Sequence, residues 1–270
     1  MNLSEENISM QRSSGIIIAK FAGIDQKIKK LYQQGASRFL LPKNFNKIQE
    51  CVYVNTSGGI TGGDKFSFDF QADEGSEILI STQAAEKAYE AKDQDAFIEN
   101  KFKIKNGSKT YWLPQEMILF SKSSVSRETT IEIFDRSEFL GFDQIVLGRQ
   151  AMGEILGKSY FLDKWKIYYN DKLVYFDQFG WKREVPRGLS ALNDVQSFAN
   201  FYYIGKKSEY YLKRLREYKS IKADTFLGTS LRNDCLLARV FSKKAKDVRN
   251  ISRDLIESVW QLKVPEVWNF

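Results

Sequence analysis

Histidine is absent from the 270 residues of this sequence. Its absence excludes the Ser-His-Asp triad, the Cys-His dyad and zinc bound through imidazole. Catalysis or metal handling by this chain must therefore rely on carboxylates, thiols, lysines or hydroxyls. Cysteine is scarce too, because Cys51 and Cys235 are the two present and they form no CxxC pair. We interpret both as small buried hydrophobic residues.

Long apolar segments and linkers are also missing. No apolar run approaches the length of a membrane span, and residues 1–14 are polar, without the apolar stretch of a signal peptide. With so few cysteines, this pattern predicts a cytoplasmic protein that contacts no membrane. Only four prolines occur, and no low-complexity tract divides the chain. We predict a flexible lead-in over 1–14 and a single domain over 15–270.

The charge of the chain is +7, which would suit nucleic acid or an acidic partner. The basic residues are spread along the chain, however, and the densest group is KKAK at 243–246. A nucleic-acid-binding face usually carries a basic stripe. We therefore predict an ordinary solvated surface and no nucleic-acid partner. A basic nucleic-acid-binding β protein remains an alternative, and it would lose affinity steeply with salt.

Most of the chain has the alternation of apolar and polar residues that is typical of β-strands. In KFSFDF (65–70), for example, the three phenylalanines fall on one face of the strand. The same pattern or a short apolar run predicts strands at 15–23, 50–55, 77–81, 97–104, 109–113, 125–134, 160–169 and 172–177. Short turns join these runs, so a mainly β domain is predicted rather than alternating βαβ units.

Helical patterns are concentrated late in the sequence. Residues 247–263 place apolar residues at three- and four-residue steps, which predicts a helix that Pro265 ends. Residues 208–220 predict a second, weaker helix. Residues 82–92 are rich in helix formers but lie between strands, so helix and irregular loop both stay open there.

The stretch NTSGGITGGDK (55–65) contains four glycines and resembles a phosphate-binding loop at first sight. A P-loop requires GxxxxGK[ST] between a strand and a helix. Here Asp64 takes the lysine position, Phe66 takes the Ser/Thr position, and the following segment alternates like a strand. The P-loop interpretation therefore fails. We predict that the glycines, which are Gly58, Gly59, Gly62 and Gly63, serve a tight turn with Asp64 at its rim.

Four motifs together resemble one known family. NTSGGITGGD (55–64), STQAAEKAYEA (81–91), LPQEMILF (113–120) and GRQAMGE (148–154) occur in the order and spacing of the urease accessory protein UreD family, also called UreH. CLLARVF (235–241) and the terminal helix fit its C-terminal part, so the resemblance covers roughly residues 15–268. Glu90 departs from the pattern, because family members commonly carry a basic residue there.

The resemblance implies a scaffold and not an enzyme. Proteins of this family bind the urease apoprotein and the accessory protein UreF, which recruits the GTPase UreG, and the complex assists nickel insertion into urease. The expected fold is mainly β, a single domain of stacked sheets (β-helix-like) with a small C-terminal helical part. No tightly bound cofactor is expected, although nickel(II) would pass transiently through a polar passage inside the protein.

A passage in a chain without histidine would have to use carboxylates, water and carbonyl groups, which bind nickel weakly enough to release it. The candidate carboxylates are Asp64, Glu116, Asp143 and Glu154, and the candidate polar lining residues are Thr82, Gln83 and Lys87. Structural roles remain open alternatives: Asp64 capping its turn, Glu116 at the surface, Glu154 paired with Arg149, and Lys87 solvated.

The terminal helix offers a candidate partner surface. Arg249 and Arg253 lie on the face opposite its apolar stripe and are candidates for contact with a helical UreF-like protein. An enzyme remains an alternative class, namely a hydrolase that uses paired carboxylates such as Glu116 and Glu154. No motif of a substrate class supports it.

Overall fold

The computed structural model describes residues 12–43, 47–73, 75–105, 107–188, 191–219 and 223–269. Most of the predicted lead-in, residues 1–11, lies outside the described residues. Strand β1 already begins at Ser14, the last residue of that predicted segment. Within the described part of the chain, no helix has the length and apolarity needed to cross a membrane.

The described residues form a mainly β structure with two α-helices. The strands are β1 Ser14–Ala22, β2 Lys27–Gly35, β3 Ser37–Leu40, β4 Gln49–Asn55, β5 Lys65–Asp73, β6 Glu77–Thr82, β7 Glu86–Ala88, β8 Ala96–Ile104, β9 Lys109–Trp112, β10 Met117–Leu119, β11 Ser124–Ile133, β12 Glu138–Leu147, β13 Tyr160–Tyr169, β14 Lys172–Trp181, β15 Ser197–Ile204, β16 Thr225–Arg232 and β17 Cys235–Ser242. The helices are α1 Ser208–Glu217 and α2 Ala245–Ser258.

Two sheets face each other, and the chain alternates between them. Sheet A has the order β14-β13-β11-β8-β5-β1-β2, and the main path of sheet B is β16-β17-β15-β12-β9-β6-β4-β3. Successive strands from β4 to β6 and from β8 to β13 mostly switch sheets, so neighbours within a sheet, such as β5 and β8, are parallel. Short crossings between sheets replace the helices of a βαβ plan. The predicted fold class, stacked β-sheets in a β-helix-like arrangement with a small helical part, is confirmed.

The core between the sheets is largely aromatic. Phe68 and Phe70 of β5 and Phe102 of β8 point inward from sheet A, as the alternation in 65–70 predicts. Their rings contact one another and Trp112 of sheet B at centroid separations of 5.4–6.1 Å. These large side chains fill the space between the layers and fix the distance between them.

Helices α1 and α2 and the C-terminal segment cover the outer face of sheet B. On this outer face, Val248, Ile251 and Leu255 of α2 form a second apolar core with residues of β12, β15 and β17. Strand β15 is consequently buried on both faces along its entire length. Strand β12 is buried on both faces from Phe139 to its end. A strand buried on both faces lacks alternation, which is why the pattern predicted neither of these two strands.

Helix α2 matches the predicted apolar stripe but ends sooner than predicted. The prediction extended to residue 263, whereas the helix ends at Ser258 and Gln261 has a left-handed φ of 56°. The turn folds Val259 and Leu262 back onto the core, where both are buried. Helix α1 confirms the weaker prediction. The segment 82–92, left open between helix and loop, contains the short strand β7.

We predict that Phe102→Ala lowers the free energy of unfolding by about 3–5 kcal/mol, because it opens a cavity in the aromatic core. Phe102 is 1% exposed. Phe97 lies on the same strand but is 50% exposed, so Phe97→Ala is the matched control and should change stability by about 0.5 kcal/mol or less. Urea unfolding of both variants measures the difference, and equal losses would contradict this account of the core.

Candidate functional site

The glycine-rich loop crosses from β4 in sheet B to β5 in sheet A. Gly58, Gly59 and Gly63 have φ values of 77°, 146° and 87°, which disfavour any residue with a Cβ. Gly62 has no such φ, but a Cβ there would lie 2.1 Å from the carbonyl oxygen of Gln94. The backbone thus explains the need for glycine at each of the four positions, either through a left-handed φ or through the close approach of another backbone segment.

Asp64 closes this loop from the inside. It is 2% exposed, and its two carboxylate oxygens accept hydrogen bonds from the backbone N–H groups of Ser13 (2.8 Å) and Thr61 (2.9 Å). Two backbone donors satisfy part of the charge without a cation. Asp64 therefore caps the loop.

Glu86 of β7 lies near Asp64. The side-chain amide of Asn55 donates to both carboxylate oxygens of Glu86, at 3.1 and 3.2 Å. Burial raises the pKa of Glu86 to about 7; the hydrogen bonds from Asn55 and from the Lys87 backbone oppose the shift, and the charge of Asp64 adds to it. This carboxyl group therefore exchanges its proton near neutral pH.

A buried ion-pair cluster connects the two sheets behind Glu86. Arg127 of β11 donates through Nε and Nη2 to Asp163 of β13, both at 2.8 Å, and through Nη1 to Asp143 of β12 at 2.9 Å. All three residues are buried, and Trp165 Nε1 also donates to Asp163. Burial raises the pKa of Asp143, and the Arg127 charge opposes the shift. With two carboxylates and one guanidinium, the cluster has a formal charge of −1.

These polar groups border an internal cavity of about 60 Å³ between the sheets. Its polar lining comprises Ser67, Thr82, Glu86, Asn100, Gln115, Arg127 and Asp143. Aromatic side chains including Phe66, Phe68 and Trp112 form the apolar wall. Space of this size accepts water molecules or one small hydrated ion, but no substantial organic substrate.

One side of the cavity is bordered by the loop after β6 and the residues after β9. Thr82 Oγ1 accepts the Gln115 backbone N–H at 2.8 Å, and the Gln115 side chain donates to the Gln83 carbonyl at 2.8 Å. The side chains of Gln83 and Lys87 are exposed, so neither lines the cavity. Of these three candidate polar residues, only Thr82 contributes to the lining.

Glu116 and the two candidate partner arginines lie next to the C-terminal segment. Arg249 forms an ion pair with Glu116 at 2.6 Å, and its guanidinium lies over the ring of Trp268. Arg253 donates to the Trp268 carbonyl at 2.9 Å and to Asn269 at 2.8 Å. Both arginines therefore anchor the end of the chain while remaining partly exposed.

Glu154 lies outside the cavity, in the loop after β12. It forms an ion pair with Arg149 at 2.9 Å and also accepts the Arg149 backbone N–H at 3.0 Å. These hydrogen bonds lower the pKa of Glu154 to about 2. The structure thus shows the ion pair between Glu154 and Arg149 that the sequence analysis left open as a structural alternative.

The structure brings together part of the predicted set. Asp143 and Thr82 line the cavity, Asp64 is near Glu86, and Glu116 and Glu154 lie outside the lining. Glu86 and Arg127 complete the site and were not predicted. The sequence could have indicated Arg127, because this residue occupies an inward position of an alternating strand. A buried arginine requires an acidic partner. Among the described residues, no three His, Cys, Asp or Glu side chains are arranged to hold a metal ion.

The fold and the cavity together define a β-solenoid-like protein that encloses a small polar, carboxylate-lined space. A family model described as the UreD urease accessory protein matches residues 16–269. Urease accessory protein UreD of Rhizobium etli is 33% identical over 94% of both chains, and that of Sinorhizobium medicae is 32% identical over 97% of both. The protein of the same name from Chelativorans sp. is 35% identical over 77% of this chain and 76% of its own.

The chain belongs to the UreD urease accessory protein family. Membership supports a role in urease maturation, in association with urease and its accessory proteins. The relatives are named as accessory proteins and not as enzymes.

The raised pKa of Glu86 predicts a pH-dependent stability that Glu86→Gln removes. Because the folded-state pKa of about 7 exceeds the ordinary glutamate value of 4.5, the native state binds the proton more tightly than the unfolded state. Stability from this group is thus fully present below pH 4.5 and is lost as pH rises toward 7. We expect the stability of the variant relative to the parent to rise by on the order of 2–3 kcal/mol between about pH 5 and pH 8.

Urea unfolding at the two pH values measures this gain. Glu257→Gln is the control, because Glu257 is an exposed glutamate on α2. A stability difference between Glu86→Gln and the parent that does not change with pH would show that Glu86 is ionised throughout.

Proposed function

We propose that the chain is a urease-maturation scaffold that binds the urease apoprotein and a UreF-like protein, through which a UreG-like GTPase joins. In this role it assists the insertion of nickel(II) into the urease active site, in the cytoplasm and without a tightly bound cofactor of its own. The observation that carries the proposal is the family match over residues 16–269. Nickel is cargo in this scheme.

The internal cavity is the part of the chain best suited to such cargo. Its carboxylates each have a partner already: Asp143 has Arg127, Glu86 has the Asn55 amide, and nearby Asp64 has two backbone amides. A cation must compete with these partners, which weakens its binding. Weak, exchangeable oxygen ligands favour transfer over storage. The net negative charge of the Arg127 cluster would still attract a cation.

The acidity of Glu86 adds a means of release. At neutral pH its carboxyl group is close to half protonated, since its pKa is about 7. A divalent cation binds the ionised form and displaces the proton, and reprotonation favours release of the cation. Metal entry and exit at this point would thus be coupled to proton exchange.

Co-purification tests the scaffold. The tagged chain, co-expressed with its urease apoprotein and the UreF- and UreG-like proteins, should recover these partners in stoichiometric amounts. Arg249→Glu with Arg253→Glu should reduce recovery of the UreF-like protein, because the reversal removes the candidate contact and releases Trp268 and Asn269. Lys101→Glu on the outer face of sheet A is a control that should leave recovery unchanged. A soluble chain that recovers no partner would overturn the proposal.

Urease activation tests the cargo route. We expect Asp64→Asn and Glu86→Gln to leave the complex assembled but to lower nickel-dependent urease activation by roughly tenfold, the effect of losing a ligand-supporting contact. Glu116→Gln, Asp143→Asn and Glu154→Gln test the other predicted carboxylates. Glu132→Gln, on the outer face of sheet A, is the control. Full activation with every one of these variants would reject a carboxylate route while leaving the scaffold proposal intact.

A further inference from the structure

Strand β2 forms one end of sheet A and leaves one of its edges open. It pairs with β1 and with no other strand among the described residues. The strand is nine residues long, and every residue from Lys29 to Gly35 is exposed. An exposed edge strand offers a row of backbone donors and acceptors to another chain. The urease-maturation role proposed above assigns no part of this edge.

The pairing with β1 determines which backbone groups of β2 face outward. The Ala36 N–H donates to the Ser14 carbonyl at 2.7 Å, so Gly35, the next residue of the ladder, belongs to a non-hydrogen-bonded pair. The two kinds of pair alternate along an antiparallel ladder, and the register is regular over this part of β2. The N–H and C=O groups of Leu31, Gln33 and Gly35 therefore point away from β1.

The outward groups are only partly used within the protein. The Gly35 carbonyl accepts a hydrogen bond from Arg38 Nη1 at 2.7 Å, which agrees with its outward direction. The backbone N–H groups of Leu31 and Gln33 donate to no acceptor within the part of the chain that the structure describes. An extended segment beside β2 would pair with these groups as a further strand of sheet A.

Positive charge is concentrated at this edge. Residues 26–43 contain five lysines and arginines and no aspartate or glutamate, while the whole chain has a net charge of +7. Lys29 and Lys30 form no ion pair with another described residue. Lys30 lies directly opposite Lys20 of β1, and one carboxylate, that of Asp73, contacts Lys20 at 3.3 Å. Like charges in opposed positions repel each other, so an added acidic side chain would stabilise this part of the sheet.

The two faces of β2 differ, and this difference predicts the pattern of a segment that pairs with it. Leu31 lies opposite Ala19, which is buried in the core, so Leu31 is on the inner face of the sheet, where it is 38% exposed. Lys30 and Tyr32 are consequently on the outer face. An added strand would cover Leu31 with apolar side chains and place acidic side chains beside Lys30.

We propose that the open edge of β2 binds an extended segment of a partner protein in which acidic and apolar residues alternate. The backbone of the segment pairs with Leu31 and Gln33, and its carboxylates lie beside Lys29 and Lys30. A second copy of this chain fits this edge poorly, because pairing two β2 strands would bring their lysines together. The proposal does not rest on the urease-maturation role, since the candidate partner surface on α2 takes no part in it.

Fluorescence anisotropy of a labelled acidic peptide, titrated with the purified full-length chain, tests the proposal. The peptide has blocked ends and about seven residues of alternating valine and glutamate, the length of an ordinary strand. We expect saturable binding. A peptide with lysine in place of glutamate loses the charge match, and an N-methylated peptide keeps the charge but cannot pair its backbone. Each should bind at least about tenfold more weakly.

Variants of the chain locate the binding. Lys29→Glu with Lys30→Glu should weaken binding of the acidic peptide by about tenfold or more. Lys213→Glu with Arg216→Glu makes the same change of charge at exposed positions of α1, and it should weaken binding by less than about twofold. Leu31→Pro removes one outward N–H without removing a hydrogen bond to β1, so it should weaken binding as well. Edge strands tolerate proline at such positions.

Absence of saturable binding, or binding that the Lys29/Lys30 reversal leaves unchanged, would overturn the proposal. Equal affinity for the N-methylated peptide would show ionic contact without strand addition and would also overturn it. Displacement of the peptide by a single-stranded oligonucleotide of equal charge would assign the lysines to polyanions in general. Dimers of the isolated chain that Leu31→Pro abolishes would assign the edge to a second copy; either result would reject the proposal. Recovery of partners in the co-purification experiment is a separate readout, so the scaffold role is decided independently.

Discussion

The buried cluster of Arg127, Asp143 and Asp163 is the interaction on which the two-sheet arrangement around the candidate site depends. Arg127 binds an aspartate of its own sheet and one of the facing sheet, so it fixes the register between the layers. A buried guanidinium is costly without such partners, and removing one partner typically destabilises a protein by about 3–5 kcal/mol. Tyr202 and Arg239 of sheet B both bind Asp177 of sheet A and form a second directional contact between the layers, so the Arg127 cluster sets the register beside the cavity.

The same cluster connects stability with the proposed function. It places a net negative charge inside the protein, and Glu86 and Asp64 add two further carboxyl groups close by. Burial raises the pKa of Glu86 most, and the nearby charge of Asp64 adds a smaller contribution. The hydrogen bonds from the Asn55 amide and the Lys87 backbone oppose this shift only in part. The fold thereby makes Glu86 a proton-exchanging group beside the cavity.

The C-terminal part of the chain connects helix α2 with the wall of the polar cavity. Helix α2 buries its apolar stripe on sheet B, and its two arginines secure Trp268, whose indole N–H donates to Ser81 beside the cavity. Contacts of Trp268 thus connect the candidate partner surface to the wall of the polar cavity. A partner that engages Arg249 would compete with its contacts to Gln115 and Glu116, the segment that borders Thr82.

The sequence by itself determined the mainly β class, the strands with clear alternation or a short apolar run, the late helices, the role of the glycines and the family, because alternation, apolar stripes and ordered motifs are local properties of the chain. It did not predict β12 and β15, because both lie between two layers and lose their alternation. The end of α2 at Ser258 was likewise set by packing of Val259 and Leu262. Only the tertiary structure decided which carboxylates meet. Asp143 faces Arg127, whereas Glu154 pairs locally with Arg149, and Glu86 joins the cavity through a short strand that no pattern marks. Contacts between residues far apart in sequence depend on sheet register, which no local pattern contains.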